Sequence, residues 1–147
     1  MFFMHRWQPE VHALLRIVLG FLFACHGAQK LLGLPHPPPN GTVELLSFMG
    51  FAGALELVGG LMIMVGLFTR PVAFLLSGMM AVAYFMAHQP QGALPITNKG
   101  EPAVLYCFAF FFLSAAGGGL YSLDAYLERR KLETGHPSAD ARLREAS

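Results

Sequence analysis

"LLRIVLGFLFACHGAQKLLG", Leu14 to Gly33, is an apolar run with polar residues only near its two ends. It is about as long as the roughly 20 residues a helix needs to cross the hydrocarbon core of a bilayer. Arg16 stands near its start. Near its end come His26, Gln29 and Lys30, and spacings of three and four place them on one face of a helix. The stretch therefore predicts a membrane helix that carries a polar face at one end only.

The rest of the chain agrees. Of its 147 residues 54% are hydrophobic and 13% are charged, against about 25% charged in soluble domains, and mean hydropathy is +0.49. An all-α membrane protein is the class this implies. A net charge of +1, with no basic patch interleaved with aromatics, gives no sign of a nucleic-acid partner. Cys25 and Cys107 both lie in apolar segments and form no CxxC or metal-ligand spacing, so they read as small apolar residues, with no metal site and no disulfide framework. The first apolar segment runs on into polar sequence without an A-x-A cleavage site, so it is expected to stay in the chain.

Four segments have spanning length, at about 12–34, 45–68, 71–87 and 103–123, the third of them short. A four-transmembrane-helix bundle over 1–126 with a polar cytoplasmic tail over 127–147 follows. The breaks have chemical causes. "LPHPPPNG", Leu34 to Gly41, cannot continue a helix, because prolines lack the amide donor and clash with the preceding turn. "FTRPV" predicts a tight turn in which Thr69 caps, Pro71 opens the next helix and Arg70 holds the corner among the headgroups. "HQPQGALPITNKGEP", His88 to Pro102, is the longest loop between spans. The first part of the tail suits an interfacial helix and its end suits disorder.

Of the ten Lys and Arg residues, eight fall on one side of this arrangement, and only Lys30 and Lys99 on the other. The positive side is cytoplasmic, so both termini are predicted inside and the two long loops outside. Trp7, Tyr121 and Tyr126 then lie at the inner interface, where aromatics belong.

In that frame His26, Gln29 and Lys30 approach the outer surface. Taken singly, Lys30 is expected to snorkel to the headgroups and His26 to find a partner on a neighbouring helix; Arg16 is expected to snorkel inward. Glu56 is different. It lies near the middle of the second span, where a charge costs on the order of 3 kcal/mol, so it must be neutral or paired. Ala52, Gly53, Gly59 and Gly60 share its helix face and permit close approach of another helix, which brings His26 or Lys30 within reach. His88 closes the third span and Glu101 opens the fourth. His26, Gln29, Lys30, Glu56, His88 and Glu101 are therefore the candidate pocket residues for proton transfer or quinone contact, while Thr69 and Arg70 form a structural turn. Asn40-Gly41-Thr42 matches a glycosylation acceptor, which matters only in a secretory pathway that attaches glycans.

"LLRIVLGFLFACHGAQKLLG" followed by "GALELVGGLMIMVGLFTRPVAFLL" (Gly53 to Leu76) resembles the DoxX family of small four-helix membrane proteins. The likeness rests on a His-Gly then Lys-Leu ending, a Glu-Leu before a glycine pair, and a Thr-Arg turn, and it extends over roughly Leu14 to Tyr121. It implies a bacterial cytoplasmic membrane protein similar to the membrane subunits of redox complexes. His26, Lys30, Glu56 and Arg70 match the motifs.

Two classes of function compete on these residues. One is a membrane subunit of a redox-linked complex that contacts a non-covalently bound quinone. Its electrons would come from a protein partner, since no nucleotide or flavin fingerprint appears. Haem held between His26 and His88 is its sharper variant. The other is a non-catalytic, chaperone-like assembly protein, or a homo-oligomer, whose small residues pack against partner helices. A small transporter ranks third. A pocket of either kind requires Glu56 to face the bundle interior.

Overall fold

The computed structural model describes residues 2–135 and is all helical, with no strand among the described residues. A short 3-10 turn (Phe2–Trp7) leads into α1 (Gln8–Leu32). It is followed by α2 (Phe48–Val65), α3 (Thr69–Gln91), α4 (Glu101–Ala116) and α5 (Leu123–Gly135). The first three are long and apolar enough to cross a membrane, and α4 is a shorter apolar helix of 16 residues. This is a helical membrane protein. One core joins the four apolar helices: Phe23 of α1, Ile63 of α2, Ala73, Leu76 and Met80 of α3, and Phe110 and Leu113 of α4.

Helix boundaries depart from the expected spans, and α1 itself starts four residues early, at Gln8. α2 starts at Phe48, because Ser47 caps it by accepting the Gly50 amide at 3.0 Å and leaves 45–47 outside. α3 extends to Gln91 through a π turn at Tyr84–His88, so the segment expected to be short is 23 residues long. α4 stops at Ala116, seven residues before the expected end. There Gly117 takes φ +80° and Gly119 φ +75°, a conformation open to glycine and strained for other residues. α5 occupies the start of the polar tail, and the disorder expected at the tail's end concerns residues outside those described.

α1 and α2 touch backbone to backbone. A Cβ added to Gly20 would lie 2.5 Å from the Met64 amide nitrogen and 2.6 Å from the Gly60 carbonyl oxygen, and one on Gly60 2.5 Å from the Ala24 nitrogen. One turn-pair further on, a Cβ on Gly27 would overlap Leu57 and the Gly53 carbonyl. Without a hydrophobic force between helices in lipid, such small-residue contacts are what packing attraction can use.

The opposite end of the bundle is held by charge on backbone. Arg16, expected to snorkel, is 1% exposed. Its Nη1 donates to the Ile63 and Met64 carbonyls at 2.7 and 2.6 Å, Nε to Gly118 at 3.0 Å and Nη2 to Tyr121 at 2.8 Å. The guanidinium thereby satisfies the last carbonyls of α2 and the loop after α4, where a helix C-terminus favours a cation. Four backbone carbonyls converge on its position, and it turns to them and not to the headgroups. Arg70 does the same for α4 through the Ala115 carbonyl at 2.5 Å. Thr69 does not cap. Its Oγ1 is buried without a partner, and the cap of α3 is the Asp124 carboxylate, which accepts the Phe68 and Thr69 amides at 2.7 and 2.8 Å.

Gly27→Ala is expected to lower the thermal stability of the purified protein by the equivalent of about 1–3 kcal/mol, through overpacking at the α1/α2 contact. Gly78→Ala, where added volume meets nothing within 4 Å, is expected to be neutral or to stabilise by up to about 1 kcal/mol. Arg16→Met should cost about 3 kcal/mol or more, because it removes the buried donor shared by four backbone carbonyls, and Arg16→Lys should recover only part of that. Denaturation of all variants in one detergent checks these values.

Candidate functional site

Glu56 faces the bundle interior and is 3% exposed. A π turn at Leu55–Gly59 interrupts α2 at this residue. Such single-turn insertions mark functional sites with unusual frequency. The flanking glycines let α1 come close, and Lys30 in its last turn reaches across, its Nζ donating to Glu56 Oε1 at 2.6 Å. Lys30 thus turns inward, away from the headgroups, because a buried carboxylate offers it a partner in a medium where an isolated charge is costly. Its position in the final turn of α1 is itself favourable for a cation. The second carboxylate oxygen, Oε2, is buried and has no partner.

The pair lies in the wall of a cavity of about 310 Å³ near the Lys30 end of the bundle. All four apolar helices contribute to it, and the lining is mostly apolar, with Phe23, Met79, Met80 and Ala103 around the pair. His26 and His88 line the same cavity. His26 sets its ring edge-on to Tyr106, centroids 6.1 Å apart. His88 ends the π turn of α3, stacks on Tyr84 at 6.4 Å, and its Nδ1 lies 3.0 Å from the Asn98 carbonyl. Each of the two π turns in the bundle therefore places one ionisable group on this cavity.

Four of the six candidate pocket residues come together here. Gln29 does not line the cavity, because it directly precedes Lys30 and so projects about 100° away from it around α1. Glu101 is exposed in the first turn of α4, where a carboxylate suits the helix N-terminus; its neighbour Pro102 forms the cavity wall instead. Thr69 and Arg70 belong to the opposite end of the bundle.

Two contributors were not singled out from sequence. Tyr106 packs against Phe23 and Phe110, at 5.1 and 5.7 Å, and presents to the cavity the one hydroxylated aromatic ring in the phenylalanine-rich α4, a signal present in the sequence itself. Asn98 is 2% exposed and organises the loop before α4. Its Nδ2 donates to the Gly92 carbonyl at 2.8 Å, its Oδ1 accepts the Gly100 amide at 2.8 Å, and its own carbonyl faces His88. No local pattern distinguishes it from a solvated loop residue.

The DoxX family profile matches residues 11–89, which hold most of α1, all of α2 and most of α3 together with Lys30, Glu56, His26 and His88. The chain belongs to the DoxX family. An uncharacterized protein of Haemophilus influenzae is 39% identical over 125 residues, which cover 82% of this chain and 93% of the relative. A Bacillus subtilis protein named "Putative oxidoreductase CatD" is 29% identical over 128 residues, covering 86% and 92%. An uncharacterized membrane protein of Mycobacterium tuberculosis is 25% identical over 148 residues, 90% of each. No solved structure matches this DoxX chain.

Breaking one half of the buried pair strands the other. The destabilisations by Lys30→Met and by Glu56→Gln are expected to sum to more than that of the Lys30→Met/Glu56→Gln double variant, with a coupling of about 1–3 kcal/mol in a double-mutant cycle. Additive single effects would mean that the two side chains do not pair in the membrane.

Proposed function

We propose that this DoxX protein is a membrane subunit of a redox-linked complex and that its cavity holds a quinone without a covalent link. The observation that carries the proposal is the Lys30–Glu56 pair, a charged couple with one unpartnered carboxylate oxygen set in an apolar cavity. Structure alone does not require such a pair: a hydrophobic couple would hold α1 to α2 without the desolvation of two charges. The donor set suits a quinone headgroup, whose carbonyls need hydrogen-bond donors and whose reduction needs protons. Lys30 has ammonium hydrogens beyond the one given to Glu56, and the imidazoles of His26 and His88 are donors and acceptors on the same cavity. A bound quinone would supply the electron- and proton-carrying chemistry, with electrons delivered by a partner redox protein. The oxidoreductase name of the Bacillus subtilis relative supports the same direction.

In the proposed topology the four apolar helices cross a bacterial cytoplasmic membrane with both termini inside. Its support is the charge asymmetry, which puts Arg16, Arg70, Arg129, Arg130 and Lys131 at the end of the bundle opposite Lys30. The cavity then lies towards the outer face. The competing role, a non-catalytic assembly subunit, needs the small residues of the Glu56 face and of Gly117 to Gly119 for packing against a partner's helices. Gly53, Gly59 and Gly60 instead pack against Lys30, Leu31, Leu76 and Ala24 of this chain, and Gly117, Gly118 and Gly119 against Arg70, Thr69, Ser122 and His12.

The test is purification of the native protein in nanodiscs, with mass spectrometry and absorbance for bound small molecules and co-purifying proteins. Quinone near one per chain, reduced about tenfold or more in Glu56→Gln and in Lys30→Met, is the expected outcome, equivalent to about 1.4 kcal/mol of binding. A stoichiometric protein partner with no quinone, unchanged in both variants, would establish the assembly role; a Soret band lost in His26→Ala would establish haem.

A further inference from the structure

The cavity is not walled evenly. Its inner side is sealed by Phe23, 1% exposed, and by Glu56, whose carboxylate is found there and receives the partly exposed Lys30. Its side between α2 and α3 is formed by Phe48 and Met49 on one helix and Val82 and Met86 on the other, which are 66%, 48%, 49% and 64% exposed. The two helices are joined by the tight turn at Gly66–Phe68 and contact each other in the half near that turn, while their far halves separate. Ala52 and Ala83 both line the resulting slot, and neither projects enough volume to close it. Over the 82–88 stretch the slot runs about 9 Å along α3 at 1.5 Å per residue. It lies on a flank of α2 and α3, and the flanks of spanning helices face hydrocarbon.

We infer that this slot is a lateral mouth through which the ligand enters from the bilayer, and that the ligand is a lipid-phase amphiphile with its polar ring at Lys30 and its hydrocarbon tail leaving between α2 and α3. The inference rests on the cavity being a ligand site, as proposed above, and adds the route and the tail. Three features agree with it. The Glu56 carboxylate, to which Lys30 donates, lies at the deep side of the cavity, so the head is drawn inward; the slot wall is apolar, so the tail loses nothing against lipid. Met49, Met79 and Met86 supply an unbranched, polarizable lining that adapts to a flexible chain. A water-soluble ligand has no use for an apolar opening on a lipid-facing flank.

The experiment uses the full chain in nanodiscs with an indole reporter inside the cavity, Tyr106→Trp, in a Trp7→Phe background that removes the single native tryptophan. Lipids brominated along their chains are expected to quench this indole strongly and aqueous iodide weakly. Ala83→Phe, and separately Ala52→Phe from the facing helix, should each cut the brominated-lipid quenching at least threefold while helicity and monodispersity are kept. Equal quenching with and without both phenylalanines, or quenching by iodide in place of lipid, would overturn the mouth. A long-tailed membrane quinone is added at equal mole fraction in a second arm. Stronger quenching than by lipid alone, lost in Ala83→Phe, supports both mouth and quinone. Lipid quenching that persists while the quinone adds nothing keeps the mouth and rejects the quinone.

Discussion

The contact on which the rest of this protein depends is the meeting of two helix backbones, α1 and α2, at Gly20 with Gly60 and Gly27 with Gly53. In a bilayer the hydrophobic effect does not press helices together, so association rests on close packing and on polar groups that have nowhere else to go. With side chains at those positions the axes would separate. Lys30 would then find only solvent or headgroups, and Glu56 would be an isolated acid in the membrane. At the observed separation the two meet at 2.6 Å, and a pair that neither helix would tolerate alone becomes part of the bundle.

The same economy shapes both ends. At one end cations bind carbonyls: Arg16 gathers the end of α2 and the loop after α4, Arg70 closes α4, and Asp124 supplies the complementary anion to the start of α3. These charges are directed at backbone groups, although Glu10 Oε2, His12 Nε2 and Thr69 Oγ1 are also buried at this end without a partner. At the other end the charges are set against each other inside a cavity, and one carboxylate oxygen remains unused. What distinguishes the Lys30 end is an ion pair set in the wall of an apolar cavity, and the proposed function rests on that setting.

Much of this was legible from residue order. Helical membrane class, the apolar segments, the turn at "FTRPV", and the nearness of Glu56 to a polar group on α1 follow from hydropathy, proline and the three-to-four spacing of small residues around Glu56. Gln29 and Glu101 show the limit: both sit in the right turn of the right helix, yet only the packing of neighbours decides which side chains meet the cavity. Asn98 reads as loop and is buried. Thr69 reads as a cap, but a carboxylate more than fifty residues away takes that place.

Sequence by itself determined the DoxX membrane chain, its apolar helices and the polar residues that must find partners, because the cost of a bare charge in hydrocarbon is a local property of a side chain and its depth. Tertiary structure alone decided who those partners are. Arg16 and Lys30 look alike in sequence, each a lone cation on α1 within reach of an interface. One became a structural clasp because two helix ends converge on it, the other half of a cavity pair because a π turn aims Glu56 at it, and that convergence is a matter of three-dimensional packing.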